Sequence, residues 1–219
     1  MPDNTLNTLS NLYITEVQMN NETSENNKVL LLFAHPSLRR SEINKPMFES
    51  ALNIEGVTAI DLYAQYPTFQ IDIEAEQQRL ENHDIIVFQF PLYWYSTPSM
   101  LKEWQDLVLE HGFAYGEGGT ALMNKSFMCA LTAGGPEEAY RKDGYNHFTI
   151  SELLYPLEQM ANLTHMTYLS PFTLFGSRTA VEEGKLNAHL DQWRAKLDDL
   201  VRGSSADMST NWATSEINE

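Results

Sequence analysis

Apolar residues in this chain gather in short continuous runs, separated by polar stretches in which apolar positions recur at helical spacing. The runs are 28–34 (KVLLLFA), 57–62 (VTAIDL), 84–90 (DIIVFQF), 126–131 (SFMCAL) and, shortest, 166–169 (MTYL). Runs of this kind, without polar alternation, suit strands of a parallel sheet covered on both faces. The spacing between them predicts helices. One opens at Ser41 as N-cap, carries Pro46 near its first turn and continues to about residue 52. Others cover 73–82, 98–111 with Pro98 in the first turn and Gly112 at the end, 148–162 with a kink or restart at Pro156, and 181–201. Met100, Leu101, Trp104, Leu107 and Val108 share one face of the third of these, and Leu186, Leu190, Trp193, Leu197 and Leu200 share one face of the last. Core packing accounts for both sets.

Strands alternating with helices imply a doubly wound α/β fold. Neither GxGxxG nor GxxxxGK[ST] is present, so the expectation is a flavodoxin-like three-layer sandwich around a five-stranded parallel sheet of order 2-1-3-4-5. One domain over 28–202 is expected, with a flexible N-terminal extension over 1–27 and a flexible C-terminal tail over 203–219. In that strand order the loops 35–44, 91–96 and 132–135 leave the C-terminal ends of adjacent strands beside the switch point, where open α/β sheets bind ligands.

Charge narrows the partners. The 219-residue chain has a formal net charge of −16, with 30 Asp and Glu against 14 Lys and Arg. Nucleic-acid binding requires clustered cations, so it is not expected. The single cysteine, Cys129, rules out an intramolecular disulfide framework and a cysteine-based metal cluster, and its place in a strand reads as an inert core position. No stretch reaches the roughly 18 consecutive apolar residues of a membrane helix, and the N-terminus lacks the layout of a secretion signal. The expected location is the cytoplasm, with attachment to the inner face of the membrane only through a partner.

The three loops carry complementary chemistry. His35, Ser41 and Asn44, followed by a helix start, offer donors to a phosphate. Gly134 and Gly135 allow a flat ring to approach the backbone. Between them, 91–96 offers aromatic surface and amides. Singly, each has an ordinary explanation: a structural histidine, a helix cap, a turn, packing or an interface patch for Trp94 and its neighbours. Together they describe a site for a phosphate at one end and a planar heterocycle at the other.

AHPSLRRSEIN (34–44), QFPLYWYSTPSMLKEWQD (89–106), HGFAYGEGGTALMNK (111–125) and LTAGGP (131–136) resemble the flavodoxin-like NAD(P)H:quinone oxidoreductases. Within them the likeness is greatest to the bacterial ancillary proteins of glutathione-gated potassium efflux antiporters. The resemblance implies flavin phosphate contacts from His35, Ser41, Glu42, Ile43 and Asn44. It implies isoalloxazine contacts from Leu92, Tyr93, Trp94, Tyr95, Thr132, Ala133, Gly134 and Gly135. The family's catalytic Tyr is matched by Tyr140, whereas its catalytic His position holds Asn146, with His147 next to it. Asn hydrogen-bonds but does not take up a proton, so proton assistance there is lost or moved to His147 or water.

The same resemblance implies FMN as cofactor, with FAD as the alternative, NADH or NADPH as hydride donor and a quinone as acceptor, in two successive steps at one pocket. It also implies a homodimer, in which Phe113 and Tyr115 would wall the partner's pocket unless they are ordinary loop packing. Two further readings are a regulatory subunit docked on a potassium efflux antiporter with incidental redox activity, and an electron carrier that does not oxidise NAD(P)H.

Overall fold

The computed structural model describes residues 26–204. The expected flexible extension and tail therefore lie almost wholly outside the described residues. Asn27 is tied down: its N–H donates to the Val201 carbonyl and its Nδ2 to the Leu200 carbonyl, at 2.7 and 2.9 Å.

The sheet is the expected one with an addition. Strands β1 (Val29–Phe33), β2 (Val57–Asp61), β3 (Ile85–Pro91), β4 (Ser126–Thr132) and β5 (Thr167–Tyr168) run in the order β2-β1-β3-β4-β5, all parallel. A sixth, β6 (Phe172–Leu174), also pairs with β4. β5 and β6 occupy successive stretches of the same edge: Thr167 and Tyr168 face Ser126 and Phe127, and Phe172 to Leu174 face Ala130 to Thr132. Pro171 between them has no N–H to give the ladder, so the edge strand stops and restarts.

Every residue of β1 and β3 is buried, as their apolar runs suggest, including the polar Gln89 of β3. Alternate side chains feed separate cores. Val29, Leu31, Val87, Met128 and Ala130 pack under α1 (Asn44–Ala51) and α7 (Leu186–Arg202). Leu30, Leu32, Phe88, Phe127 and Cys129 pack under α3 (Ile73–Glu81), α4 (Ser99–Val108), α5 (Ile150–Leu153) and α6 (Tyr155–Leu163). This is the three-layer sandwich. Burial pushes the Cys129 thiol up to about 12, which fits an inert core residue.

Two helical expectations shift, and the kink or restart expected at Pro156 is a restart. Leu38–Arg40 winds into a 3-10 turn and the chain re-extends at Ser41, so α1 begins at Asn44 with Ile43, which has no capping side chain, as its N-cap. Ser41 still satisfies that helix from outside, accepting the Lys45 N–H on Oγ at 2.9 Å. The stretch around Pro156 is two helices, with Pro156 in the first turn of the second. The last helix starts at Leu186, because residues 178–184 form turns that end on Gly184, in the left-handed region with φ 70°. A short α2 (Leu62–Gln65) was not anticipated; Asp61 caps it by accepting the Tyr63 and Ala64 N–H groups.

The second face holds a buried carboxylate. Glu76 is fully buried and accepts from Tyr66 Oη at 2.5 Å and Trp104 Nε1 at 3.0 Å, and it pairs with Arg79. It pins α3 to α4 and to the turn after α2. Removing one member of such a network strands the others without partners. Glu76→Ala should lower the stability of the protein by about 3–5 kcal/mol, read as a fall in the urea midpoint with an unchanged slope.

Candidate functional site

The site forms at the C-terminal edge of the sheet because three buried polar side chains hold the strand ends to the start of α1. Gln89, fully buried in β3, donates from Nε2 to the Asn44 carbonyl at 2.7 Å. Asn44 donates from Nδ2 to Thr132 Oγ1, also at 2.7 Å. The Leu92 N–H donates to the Thr132 carbonyl, closing the β3 and β4 ends together. The loop 35–44 and the loop 132–135 are thereby set against each other across the end of β3.

Beside this seam lies an open cleft of about 400 Å³, lined among others by His35, Ser41, Glu42, Ile43, Asn44, Leu92, Tyr93, Thr132 and Gly134. That volume lies within the range of about 300–1,000 Å³ usual for small-molecule sites. The three predicted loops therefore converge, and nine of the predicted site residues share one cleft. Arg40, Pro91, Ser177 and Arg178 also line it and were not foreseen. Ser177 and Arg178 follow β6, the strand the sequence pattern did not reveal. Arg40 sits inside a loop already singled out, next to Ser41, where its charge was the available signal.

His35 is buried at the mouth of β1. Its Nδ1 accepts the Ser37 N–H at 3.1 Å, so the ring proton lies on Nε2, which faces Tyr93 Oη at 3.4 Å. Burial pulls the imidazole below its ordinary value, which favours the neutral ring. The cleft thus meets an anion with a neutral N–H donor at this point, and with the Arg40 and Arg178 guanidiniums elsewhere.

The main chain adds donors at each strand end. The N–H groups of Glu42, Ile43 and Asn44, of Trp94 and Tyr95, and of Gly134 and Gly135 have no acceptor among the described residues. Ala133 differs. Its N–H is taken by the Leu174 carbonyl, its own carbonyl accepts the Ser177 N–H, and its side chain is buried.

The aromatic stretch is a tight hairpin turn. Tyr93 and Ser96 exchange both N–H···O=C bonds, and Trp94 and Tyr95 between them lie in the left-handed region at φ 50° and 62°. This is the geometry that Asn-Gly usually supplies, at a cost of about 1–2 kcal/mol for each bulkier residue. Trp94 is 93% exposed and does not line the cleft, whereas Tyr93 packs edge-on to His35.

Tyr140, Asn146 and Gly135 lie just outside the cleft lining. Neighbouring glycines each make room for one side chain: a Cβ on Gly135 would meet the Tyr140 ring at 3.4 Å, and one on Gly134 would meet Arg178 Nε at 3.1 Å. Asn146 Oδ1 accepts from Tyr95 Oη at 3.1 Å, tying the loop after β4 to the hairpin turn after β3. His147 is exposed beside it. Phe113 and Tyr115 are half-buried against the core of their own chain. Among the described residues no cluster of His, Cys, Asp and Glu could hold a metal, and no helix is long and apolar enough to cross a membrane.

With this geometry in place, comparison with known proteins is informative. The sequence profile of the flavodoxin-like fold family matches residues 27–197. The chain belongs to that family. Among family members it is 48% identical over 155 residues to the glutathione-regulated potassium-efflux system ancillary protein KefG of Cronobacter sakazakii, covering 71% of this chain and 84% of that one. The crystal structure of general stress protein 14 of Treponema denticola in complex with FMN is 37% identical, covers 79% of this chain and 99% of that one, and superposes with a TM-score of 0.74. An NADPH-quinone reductase of P. pentosaceus is 32% identical, covers 77% and 96%, and has a TM-score of 0.67.

The loop that presents Tyr140 and Asn146 folds tightly on itself at Gly144, where a Cβ would lie 2.2 Å from the Glu138 carbonyl oxygen and 2.9 Å from that of Ala139. Backbone cannot yield as a flexible side chain would. Gly144→Ala should open this loop while costing global stability only about 1–3 kcal/mol. Trypsin cleavage at the exposed Arg141 and Lys142, mapped by mass spectrometry, should accelerate at least tenfold.

Proposed function

We propose that the protein is an FMN-dependent NAD(P)H:quinone oxidoreductase. The observation that carries this reading is the set of main-chain N–H groups without acceptors among the described residues: those of Glu42, Ile43, Asn44 and Gly134 line one cleft with His35, and those of Trp94, Tyr95 and Gly135 belong to the adjoining loops. Donors from Glu42, Ile43 and Asn44 at the start of α1, with His35 Nε2 and Ser41 Oγ, suit a phosphate. Asn44 Oδ1 is buried without a donor, and it suits a ribityl hydroxyl. Trp94, Tyr95, Gly134 and Gly135 would offer their main-chain N–H groups to a flat ring, while those of Leu92, Tyr93 and Ala133 are engaged within the chain. The FMN complex of the Treponema relative and the name of the NADPH-quinone reductase support the same cofactor and reaction.

When bound, the flavin supplies two-electron chemistry, taking hydride from NADH or NADPH and passing both electrons to a quinone in a second step. The chain's own residues bind, orient and donate. Tyr140, seated over Gly135, would offer its hydroxyl as a hydrogen-bond donor to the flavin ring. Asn146 has its Oδ1 engaged by Tyr95, which leaves Nδ2 as the donor. It orients by hydrogen bonding and carries no proton in turnover. A homodimer in which Phe113 and Tyr115 border the partner's cleft fits this reading.

The 48% identity to KefG favours a second reading, in which the protein docks on a membrane potassium efflux antiporter from the cytoplasmic side and its redox activity is incidental. Tyr140→Phe separates the two. If docking alone matters, quinone turnover falls while potassium efflux in cells is unchanged.

The purified protein should be yellow and release FMN on denaturation, identified by chromatography, and it should oxidise NAD(P)H in the presence of a quinone. Release of FAD, or a colourless protein that neither flavin reconstitutes, would overturn the cofactor. Asn146→His should raise the stopped-flow rate of flavin reduction by NAD(P)H, by about 10-fold or more if the imidazole assists as a general acid. An unchanged rate would remove any part for this position in the transfer.

A further inference from the structure

We propose that Arg178 offsets the negative charge acquired by the flavin ring on reduction, and so sets the redox potential of the bound cofactor. The inference rests on the reading of the cleft as a flavin site and adds a residue to it.

Arg178 is placed by backbone. After β6, the Gly176 N–H donates to the Gly135 carbonyl at 2.7 Å and the Ser177 N–H to the Ala133 carbonyl at 3.0 Å. These bonds fasten the segment 176–178 along the glycine loop. The Arg178 side chain then lies over Gly134, with Nε 3.1 Å and Cγ and Cζ each 3.7 Å from where a Cβ would stand. The guanidinium therefore takes the place a side chain at Gly134 would occupy, on the wall of the cleft. In a chain with 30 acidic residues against 14 Lys and Arg, it forms no ion pair or hydrogen bond among the described residues.

A charge compensator is needed at that end. Hydride brings two electrons and one proton from the reduced nicotinamide, which leaves as the oxidised pyridinium. The ring gains one net negative charge unless a second proton arrives. Tyr140 offers a phenolic hydroxyl and Asn146 an amide, neither of which is a cation. His35 and Arg40 line the cleft from the loop that suits the phosphate, with the Glu42 carboxylate among them. Arg178 is the cation that lines the cleft from the glycine-loop side. An always-charged guanidinium in place before the electrons arrive stabilises the reduced ring more than the oxidised one.

Arg178→Gln and Arg178→Lys test this in the full-length protein. Dissociation constants for oxidised and reduced FMN would be measured anaerobically, together with the midpoint potential of the bound flavin, with circular dichroism as a control for folding. Arg178→Gln should weaken reduced FMN at least tenfold more than oxidised FMN. That ratio corresponds to a potential about 30 mV more negative for a two-electron couple. Arg178→Lys should hold the ratio within about threefold of the wild type, because it keeps the charge. Equal weakening of the two redox forms by Arg178→Gln would make the residue a phosphate anchor and overturn the proposal, and so would an unchanged potential. A wild-type protein that binds no flavin would instead overturn the reading of the cleft, and this inference with it.

Discussion

The site depends on one buried polar seam. Gln89 reaches from the middle strand to the Asn44 carbonyl, and Asn44 reaches on to Thr132. All three side chains are buried, at 0%, 3% and 4% exposure, so their hydrogen bonds form where water cannot substitute for them. Hydrophobic packing alone would let α1 slide on the sheet by fractions of an ångström. The seam gives its first residue one position, and that position sets the distance between the donors at the helix start and the glycines after β4.

Around the seam, polar groups left open have a common direction. Asn44 and Gln89 each keep one amide oxygen without a donor. Glu42, Ile43, Asn44, Trp94, Tyr95, Gly134 and Gly135 likewise have main-chain N–H groups with no acceptor among the described residues. Native proteins rarely leave buried polar groups unmet, and clustering of such groups at one edge of a sheet is a mark of a place built to receive something. Away from the cleft, Glu76 uses both oxygens and the Thr149 and Glu152 pair at the start of α5 closes a full capping box, whereas His189 Nε2 on α7 is buried without a partner among the described residues.

Much of this was legible in the sequence. The strands β1, β3 and β4 are apolar apart from Gln89, Ser126 and Thr132 because both faces are covered, which removes the alternation that makes an exposed strand ambiguous. The topology and the convergence of the loops at 35–44, 91–96 and 132–135 follow from that. What escaped was local geometry with no residue signature. The 3-10 turn at Leu38–Arg40 displaced the start of α1, and Ser41 does its capping from a position the pattern could not give. Trp94 and Tyr95 form a tight turn without the glycine or asparagine that announces one. β6 is only Phe172 to Leu174, too short to show a period, and with it went Ser177 and Arg178. Gln89 is a polar residue inside an apolar run, and it is the residue on which the seam turns.

The divided strand at the sheet edge has a consequence beyond supplying Arg178. An uninterrupted edge strand offers a row of free backbone groups to which another chain can add itself, a hazard folded proteins must suppress. Here the edge facing solvent consists of two pieces, two and three residues long, with a proline between them. Neither piece is long enough to template an incoming strand, and the gap prevents one from bridging both. The break that positions a cation beside the cleft also guards this side of the molecule against aggregation.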